Sequence, residues 1–289
     1  MLVATPIGNL GDLSPRALRT LAEADLVVCE DSRRTRALLS SAGVPTPPMV
    51  TANDHTEVAQ TTTVLEHLGR GEVVAVVSDA GMPAISDPGE RLVGAAAAAG
   101  FEVGVVPGPS AALSALVVSG LTAGRFVFEG FLPRRGSGRT ERLTALVTEQ
   151  RTMILYEAPH RVARTLADLA AALGEGRRVA LCRELTKLYE EVWRGSLGDA
   201  VRHAGERPPR GEYVLVVEGA CPPFVAGDEA LRAALARLLD DGVSTRDAVA
   251  EVAGAYDAPK RRVYDLAVRP RPAPRASVCS DGGGDTPSP

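Results

Sequence analysis

Short valine-rich runs alternate with helix-patterned segments along the first 120 residues, and few architectures accept that order. "MLVATP" (1–6), "DLVVCE" (25–30), "EVVAVVS" (72–78) and "FEVGVVPG" (101–108) read as strands. "SPRALRTLAEA" (14–24), "TTTVLEHLGRG" (61–71), "GERLVGAAAAAG" (89–100) and "SAALSALVVSG" (110–120) read as helices. Ser14 and Ser110 stand at N-cap positions, Pro15 at a first helical position and Gly71 at a stop. Alternation of this kind predicts an α/β fold with a largely parallel sheet.

A second block follows. "RFVFEGFL" (125–132), "RTMILYEAP" (151–159), "RRVALCREL" (177–185) and "GEYVLVVEG" (211–219) read as strands. "ERLTALVTEQ" (141–150) and "RVARTLADLAAALG" (161–174) read as helices, and "PRRGSGRTER" (133–142) as a Gly/Arg-rich loop. The expected organisation is an α/β domain over 1–110, a second over 111–222 and a helical segment over 223–268. That segment reads as three short helices with turns at Gly242 and Pro259. The tail 269–289, rich in Pro, Ser and Gly, reads as disordered.

Composition narrows the function classes. At 289 residues with 45% hydrophobic and 24% charged residues, this is the make-up of a globular protein with a sizeable core. No apolar run reaches membrane-spanning length. The N-terminus has neither a basic flank nor a cleavable apolar core, so no signal peptide is expected. Cys29, Cys182, Cys221 and Cys279 are scattered without metal-type spacing, which fits reduced thiols in a cytoplasmic protein and no metal site. The net charge of −4 gives no global signal for nucleic acid, so any such contact needs a local patch. Lys187 and Lys260 are the only lysines, and arginine supplies the remaining positive charge.

The chemistry is carried by the loops at the strand ends. "TPIGNLGD" (5–12), "EDSRRT" (30–35), "SDAGMPAISDPG" (78–89) and "PGPSAA" (107–112) replace apolar runs with Gly, Pro, Asp and Ser. Any one of them is explained by turn formation alone. Four leaving the same end of one parallel sheet describe a ligand site, because ligands bind outside the carboxyl ends of such strands. "GNLGD" is not a dinucleotide fingerprint and there is no P-loop. Asp79, directly after a buried strand, suits a hydroxyl or a cation. "PGPSA" offers backbone N–H groups and a hydroxyl at a helix start. A small zwitterionic ligand with a ribose and a positive centre matches both.

Nine segments, in order across residues 1–219, together resemble one bacterial family. They are the four loops' "TPIGNL", "EDSR", "SDAGMPAISDPG" and "PGPSAA", with "NDHTE" (53–57), "EGFLP" (129–133), "YEAPHR" (156–161), "RELTK" (183–187) and "RGEYVLVVEG" (210–219). The family is the rRNA small-subunit methyltransferase I group of the tetrapyrrole methylase superfamily. Its members use S-adenosylmethionine to 2′-O-methylate a cytidine in 16S rRNA of the small ribosomal subunit. Asn53 and Met82 depart from the usual residues at their positions, and neither replaces a group the chemistry needs.

The resemblance implies two α/β domains with S-adenosylmethionine in the cleft between them, and a homodimer. Carried over position by position, the cofactor residues are Asn9, Leu10, Val77, Ser78, Asp79, Met82, Ser110, Ala111, Glu157 and Leu185. Methyl transfer to a ribose hydroxyl needs alignment and a proton acceptor. Glu30, Asp31, Asp54, His55 and Glu157 are candidate bases, with Glu30 or Asp31 favoured as base or orienter. Asp31 reads equally as a helix cap or a partner of Arg33. Arg33, His55, Arg134, Arg135 and Arg139 are the candidate RNA contacts, although His55 also reads as an ordinary loop histidine and the Arg loop as a solvated linker. "PKRRVYD" (259–265) is a second basic segment whose plain reading is an amphipathic helix. The competing functions are methylation of a tetrapyrrole or other small molecule, and a non-catalytic nucleotide-binding module.

Overall fold

The computed structural model describes residues 1–53, 56–206, 209–221 and 226–268. Met1–Ala220 form one compact unit and the chain from Cys221 onward a second.

The first half of the larger unit is built on strands β1 (Leu2–Val3), β2 (Leu26–Cys29), β3 (Met49–Thr51), β4 (Val74–Val76) and β5 (Val105–Val106). Their spatial order is β3-β2-β4-β1-β5, and every pairing is parallel. Helices α1 (Pro15–Ala22), α2 (Ser32–Ser41), α3 (Glu57–Gly69), α4 (Glu90–Ala98) and α5 (Ala111–Ser119) follow the strands in turn. Alternate strand residues serve opposite faces: Val27 and Ala75 pack with Leu21 and Leu39, while Leu26 and Val28 pack with Val64 and Leu92. The Ser14 and Ser110 hydroxyls cap α1 and α5, as the sequence predicts. β1 and β5 are shorter than their apolar runs. The chain leaves the first of them to bond across the sheet end, Thr5 exchanging both backbone hydrogen bonds with Gly81. Helix α2 and strand β3 have no counterpart among the elements expected from sequence, where 30–35 is a loop.

The second half is built on β6 (Phe126–Phe131), β7 (Thr152–Glu157), β8 (Arg178–Arg183), β9 (Glu191–Ser196) and β10 (Tyr213–Val217), in the order β6-β7-β10-β8-β9. Only β6 and β7 run parallel. The other three pairings are antiparallel, so the parallel pattern belongs chiefly to the first half. The physical reason is the short connection from β8 to β9: a parallel pair needs a crossover of a dozen residues or more, and a hairpin does not. Helices α6 (Ser137–Leu146), α7 (Pro159–Leu173) and α8 (Leu197–Glu206) complete it. Leu155, Leu166, Leu169, Leu197 and Leu215 form the core of one face. On the other face, Ala112, Ala115 and Leu116 of α5 pack on Ile154, Ala180 and Val216. Helix α6 starts at Ser137, so the Gly/Arg-rich loop is shorter than expected.

The smaller unit is three helices, α9 (Asp228–Asp240), α10 (Thr245–Ala255) and α11 (Lys260–Val268), around Leu231, Leu235, Val252 and Val263. Turns fall at Gly242 and before Lys260, as expected. Residues 269–289, with Cys279, lie outside the described residues. No helix among the described residues is long and apolar enough to cross a membrane.

Candidate active site

The strand order brings the loops after β2, β4, β1 and β5 side by side at one end of the parallel sheet. Two cavities open there. The first, about 450 Å³, is lined by Thr5, Leu10, Arg34, Ser78 and Asp79 among others. The second, about 420 Å³, lies between the ends of the two sheets. Met82, Asp87, Ser110 and Ala111 line it from one side, and Tyr156 and Glu157 from the other. The Thr5–Gly81 pairing separates them, Thr5 facing the first and Gly81 the second. Gly81 has φ +83°, and a Cβ there would meet the Ile7 side chain at 3.2 Å. The wall therefore requires glycine.

The segment 78–89 between these cavities is held in an unusual shape. Ala84 and Ser86 both have positive φ, 66° and 62°. Such conformations cost about 1–3 kcal/mol each for non-glycine residues and persist only where the surroundings enforce them. The enforcement is visible at both ends. Thr5 grips Gly81 at one end. At the other, the buried Glu57 Oε1 accepts the amides of Gly89, Arg91 and Leu92 at 3.0, 3.0 and 3.2 Å, capping α4. From the second sheet, β6 bulges at Gly130, where a Cβ would stand 3.1 Å from the Ser86 hydroxyl.

The acids at this end differ in state. Asp31 caps α2 by accepting the Arg33 amide at 2.8 Å, and holds the Arg33 guanidinium through both oxygens at 3.1 and 2.8 Å. Those bonds pull its pKa down to about 2. Of the readings the sequence left open for Asp31, helix cap and partner of Arg33 are the ones this geometry shows. Arg33 is correspondingly tied to Asp31, although its side chain stays exposed. Asp79 accepts the Asp31 amide at 3.1 Å and lies 3.3 Å from Arg34, yet burial still raises its pKa. Asp87 is pushed up to about 7, first by burial and then by the charges of Glu30 and Asp79. It was not among the sequence candidates. Its "SDPG" setting reads as a turn, and nothing local reveals that the segment folds back beneath two other acids.

The sequence-chosen cofactor residues divide. Met82, Ser110, Ala111 and Glu157 share the second cavity; Leu10, Ser78 and Asp79 line the first. Asn9 caps the short helical turn Leu10–Asp12 by accepting the Gly11 amide. Val77 and Leu185 are buried in the two apolar clusters behind the walls, Leu185 beside Ile7. The Glu157 carboxylate faces away from the cavity's polar groups: it accepts the Thr165 hydroxyl at 2.6 Å and lies 3.1 Å from Arg161. Tyr156 takes the α5 amide of Ala112 on its hydroxyl, with Phe128 and Phe131 edge-on to its ring. Asp54 and His55 lie outside the described residues.

A third pocket, about 370 Å³, opens at the start of α7, lined by Arg134, Arg139, His160, Arg161, Arg164 and Thr165. Arg139 does not belong to a mobile loop. It is 4% exposed and spends its guanidinium on Asp168, the Pro133 carbonyl and Thr165. It is a buried structural arginine, which corrects its expected role as an RNA contact. Arg134, Arg135, His160 and Arg164 remain exposed. Among the described residues, no group of three or more His, Cys, Asp or Glu side chains is placed to hold a metal ion. Burial raises the thiol pKa of both Cys29 and Cys182, so neither is activated.

The geometry agrees with comparisons to known proteins. A family model of the tetrapyrrole (corrin/porphyrin) methylases matches residues 1–201, and one of the RsmI C-terminal HTH domain matches residues 225–271. A Synechocystis protein named ribosomal RNA small subunit methyltransferase I is 44% identical over 270 residues, covering 92% of this chain and 96% of its own. Among solved structures, diphthine synthase superposes with a TM-score of 0.59 at 14% identity, covering 75% of this chain and 89% of its own. A uroporphyrin-III C-methyltransferase from Thermus thermophilus, complexed with S-adenyl homocysteine, superposes with a TM-score of 0.52 at 20% identity, covering 75% and 96%. At such identities the two structures speak to the fold alone.

Proposed function

Because the chain belongs to the tetrapyrrole (corrin/porphyrin) methylases, we propose that it methylates the 2′-hydroxyl of a cytidine in 16S rRNA, using S-adenosylmethionine. The observation that carries this reading is the 44% identity to a small-subunit rRNA methyltransferase across 92% of the chain. The matched C-terminal domain adds a second element shared with ribosomal relatives and lying outside the methylase fold.

The residues present fit the cofactor. The second cavity has a volume usual for a small-molecule site, apolar walls from Met82 and Ile85, and the N-terminus of α5 at its edge. We assign S-adenosylmethionine to it, with Met82, Ser110, Ala111 and the backbone around Glu157 as its walls and Leu185 packing from behind. When bound, it supplies a methyl carbon already activated by a sulfonium. The chain's part is to align the ribose hydroxyl, exclude water and take up a proton. The first cavity, with Leu10, Ser78 and Asp79 at the shared edge and Arg34 at its mouth, then receives the target nucleotide. In this reading the exposed Arg33 and Arg34 would take phosphate, and the exposed Arg134, Arg135, His160 and Arg164 the RNA backbone further out. Glu30, which follows β2 and whose charge acts on Asp87, is the orienter in this reading. A cytoplasmic location follows from an rRNA substrate.

The homodimer belongs to the same reading. Leu113 and Val117 of α5 are 50% and 73% exposed, an apolar surface that no other described residue covers. Light scattering at micromolar concentration is expected to give twice the chain mass, and a monomer mass removes the dimer. The function is tested by mapping 2′-O-methylation across 16S rRNA in a strain lacking the gene. One cytidine is expected to lose its methyl group and regain it with the gene restored. An unchanged map, with labelling of porphyrinoid substrates by the purified protein, transfers the reading to small-molecule methylation.

A further inference from the structure

Methyl transfer to a 2′-hydroxyl requires a group that takes the hydroxyl proton, and of the two residues favoured from the sequence, Glu30 and Asp31, the second is engaged in a helix cap and an ion pair. The cavities offer another. We propose that the carboxylate of Asp87 accepts the proton of the ribose 2′-hydroxyl as the methyl group is transferred. This rests on the methyl-transfer reading above and names a residue for its least defined step.

Position carries the argument. Asp87 lines the cavity assigned to the cofactor, while Asp79, whose charge acts on it, lines the neighbouring cavity assigned to the nucleotide. It therefore sits at the seam where the methyl group and the acceptor oxygen have to meet. Its backbone follows the two positive-φ residues Ala84 and Ser86 and precedes the amides clamped by Glu57. That enforced path fixes the carboxylate at the seam.

The step balances. A bond forms between the ribose oxygen and the methyl carbon, and the carbon–sulfur bond breaks with its electron pair left on sulfur. The hydroxyl proton passes to Asp87. A sulfonium and a carboxylate are consumed; a neutral thioether and a neutral carboxylic acid remain. No other reactant is needed, and the acid returns its proton to solvent before the next turnover.

The surroundings suit a proton acceptor at neutral pH. The groups around Asp87 are Glu30 after β2, Ser78 and Asp79 after β4, and Tyr156 on β7, while the Glu157 carboxylate of β7 is turned to Thr165 and Arg161. Arg34 of α2 is directed to Asp79, and Arg161 of α7 to Glu157. Burial and the two nearby acids raise the Asp87 pKa to about 7, where basicity and the ionised fraction are both useful.

The test has a reading that needs no substrate. In the full-length protein, carboxyl carbon-13 NMR is expected to show a resonance titrating near 7 that disappears in D87N. A titration near the ordinary aspartate value of about 4 overturns the proposal. Single-turnover transfer to small ribosomal subunits is expected to fall by about 10²–10⁴-fold in D87N at saturating S-adenosylmethionine, so that any weaker cofactor binding does not enter the rate. Transfer at the wild-type rate overturns it. Two further variants separate proton transfer from structural damage. D79N removes a like charge and moves the rising limb of the pH–rate profile downward. E30Q removes a like charge and moves it downward. Unmoved limbs in both overturn the assignment. Wild-type protein that transfers nothing to the subunit overturns the rRNA reading beneath it, while the titration still reports on Asp87 itself.

Discussion

The two sheets of the larger unit treat their carboxylates in opposite ways. On the antiparallel-rich sheet and the helices beside it, acids are matched to arginines: Glu157 with Arg161, Glu129 with Arg142, and Asp168 with Arg139. At the end of the parallel sheet, Glu30, Asp79 and Asp87 face one another, and the charges of the first two raise the cost of ionising Asp87. The first arrangement settles charge within the fold. The second pairs Asp31 with Arg33 and Asp79 with Arg34 but sets Asp87 beside other acids, at the place where loops, strain and cavities also concentrate. Paired acids hold elements together, whereas crowded acids are available for chemistry and cost stability.

The largest effect is expected where the pairing is buried. Glu157 has no exposed side-chain surface, and Arg161 also donates to the Leu132 carbonyl at 2.6 Å. R161A leaves that carboxylate buried without its cation, at a cost of about 3 kcal/mol. For a unit of this size that corresponds to a melting point lower by about 6–12 °C. D87N is expected to do the reverse at neutral pH and raise the melting point, because it removes one of several like charges. Circular-dichroism melts of both variants check the contrast. A comparable loss in both would mean that the two sheets handle charge alike.

A pH series sharpens the same comparison, with opposite signs for two aspartates. Asp87 has a raised pKa in the fold, so between about 4 and 7 the folded state holds a proton that the unfolded chain has released. Its contribution to stability therefore falls as pH rises through that window. Asp31 has a lowered pKa, so its contribution is present above about 4 and is lost as pH falls toward 2. Relative to wild type, D87N is expected to gain stability steadily from pH 4 to pH 7. D31N is expected to lose its deficit only below pH 4. A flat difference for D87N across the window contradicts the crowding of acids around it.

The contrast also explains what the sequence disclosed. Strand ends after valine-rich runs are local features, so the loops at 5–12, 78–89 and 107–112 and the caps at Ser14 and Ser110 were legible. Long-range pairing was not. The antiparallel hairpin of β8 and β9 depends on which strands meet, and the burial of Arg139 depends on Thr165 and Asp168 a helix away. Helix α2 was missed because "EDSRRT" carries turn-forming residues whose real task is to cap and begin a helix. Asp87 was missed for the same kind of reason: its neighbours Glu30 and Asp79 stand apart from it in sequence and come together with it only in the fold.

The smallest effect separates two kinds of arginine inside one pocket. Arg134 and Arg164 line the pocket at the start of α7 with exposed side chains, while Arg139 lines it from below with every guanidinium nitrogen engaged. If the exposed pair holds phosphates of single-stranded rRNA, each contact adds roughly 0.7 to the slope of log affinity against log salt. The double variant R134Q/R164Q is then expected to lower that slope by roughly 1.4. Its melting point should stay at the wild-type value, because exposed ion pairs contribute little and only Arg164 approaches an acid, Asp168 at 3.7 Å. R139Q should behave in the opposite way. It strips the buried partner from Asp168 and Thr165, so the melting point falls, while the salt slope of the protein that remains folded is unchanged. Binding to small subunits across a salt series, with melts of the same samples, reads both quantities. A wild-type slope in R134Q/R164Q makes the pocket's rim a solvated surface. A lowered slope in R139Q makes the buried arginine an RNA contact and erases the distinction between charge spent on the fold and charge kept for the substrate.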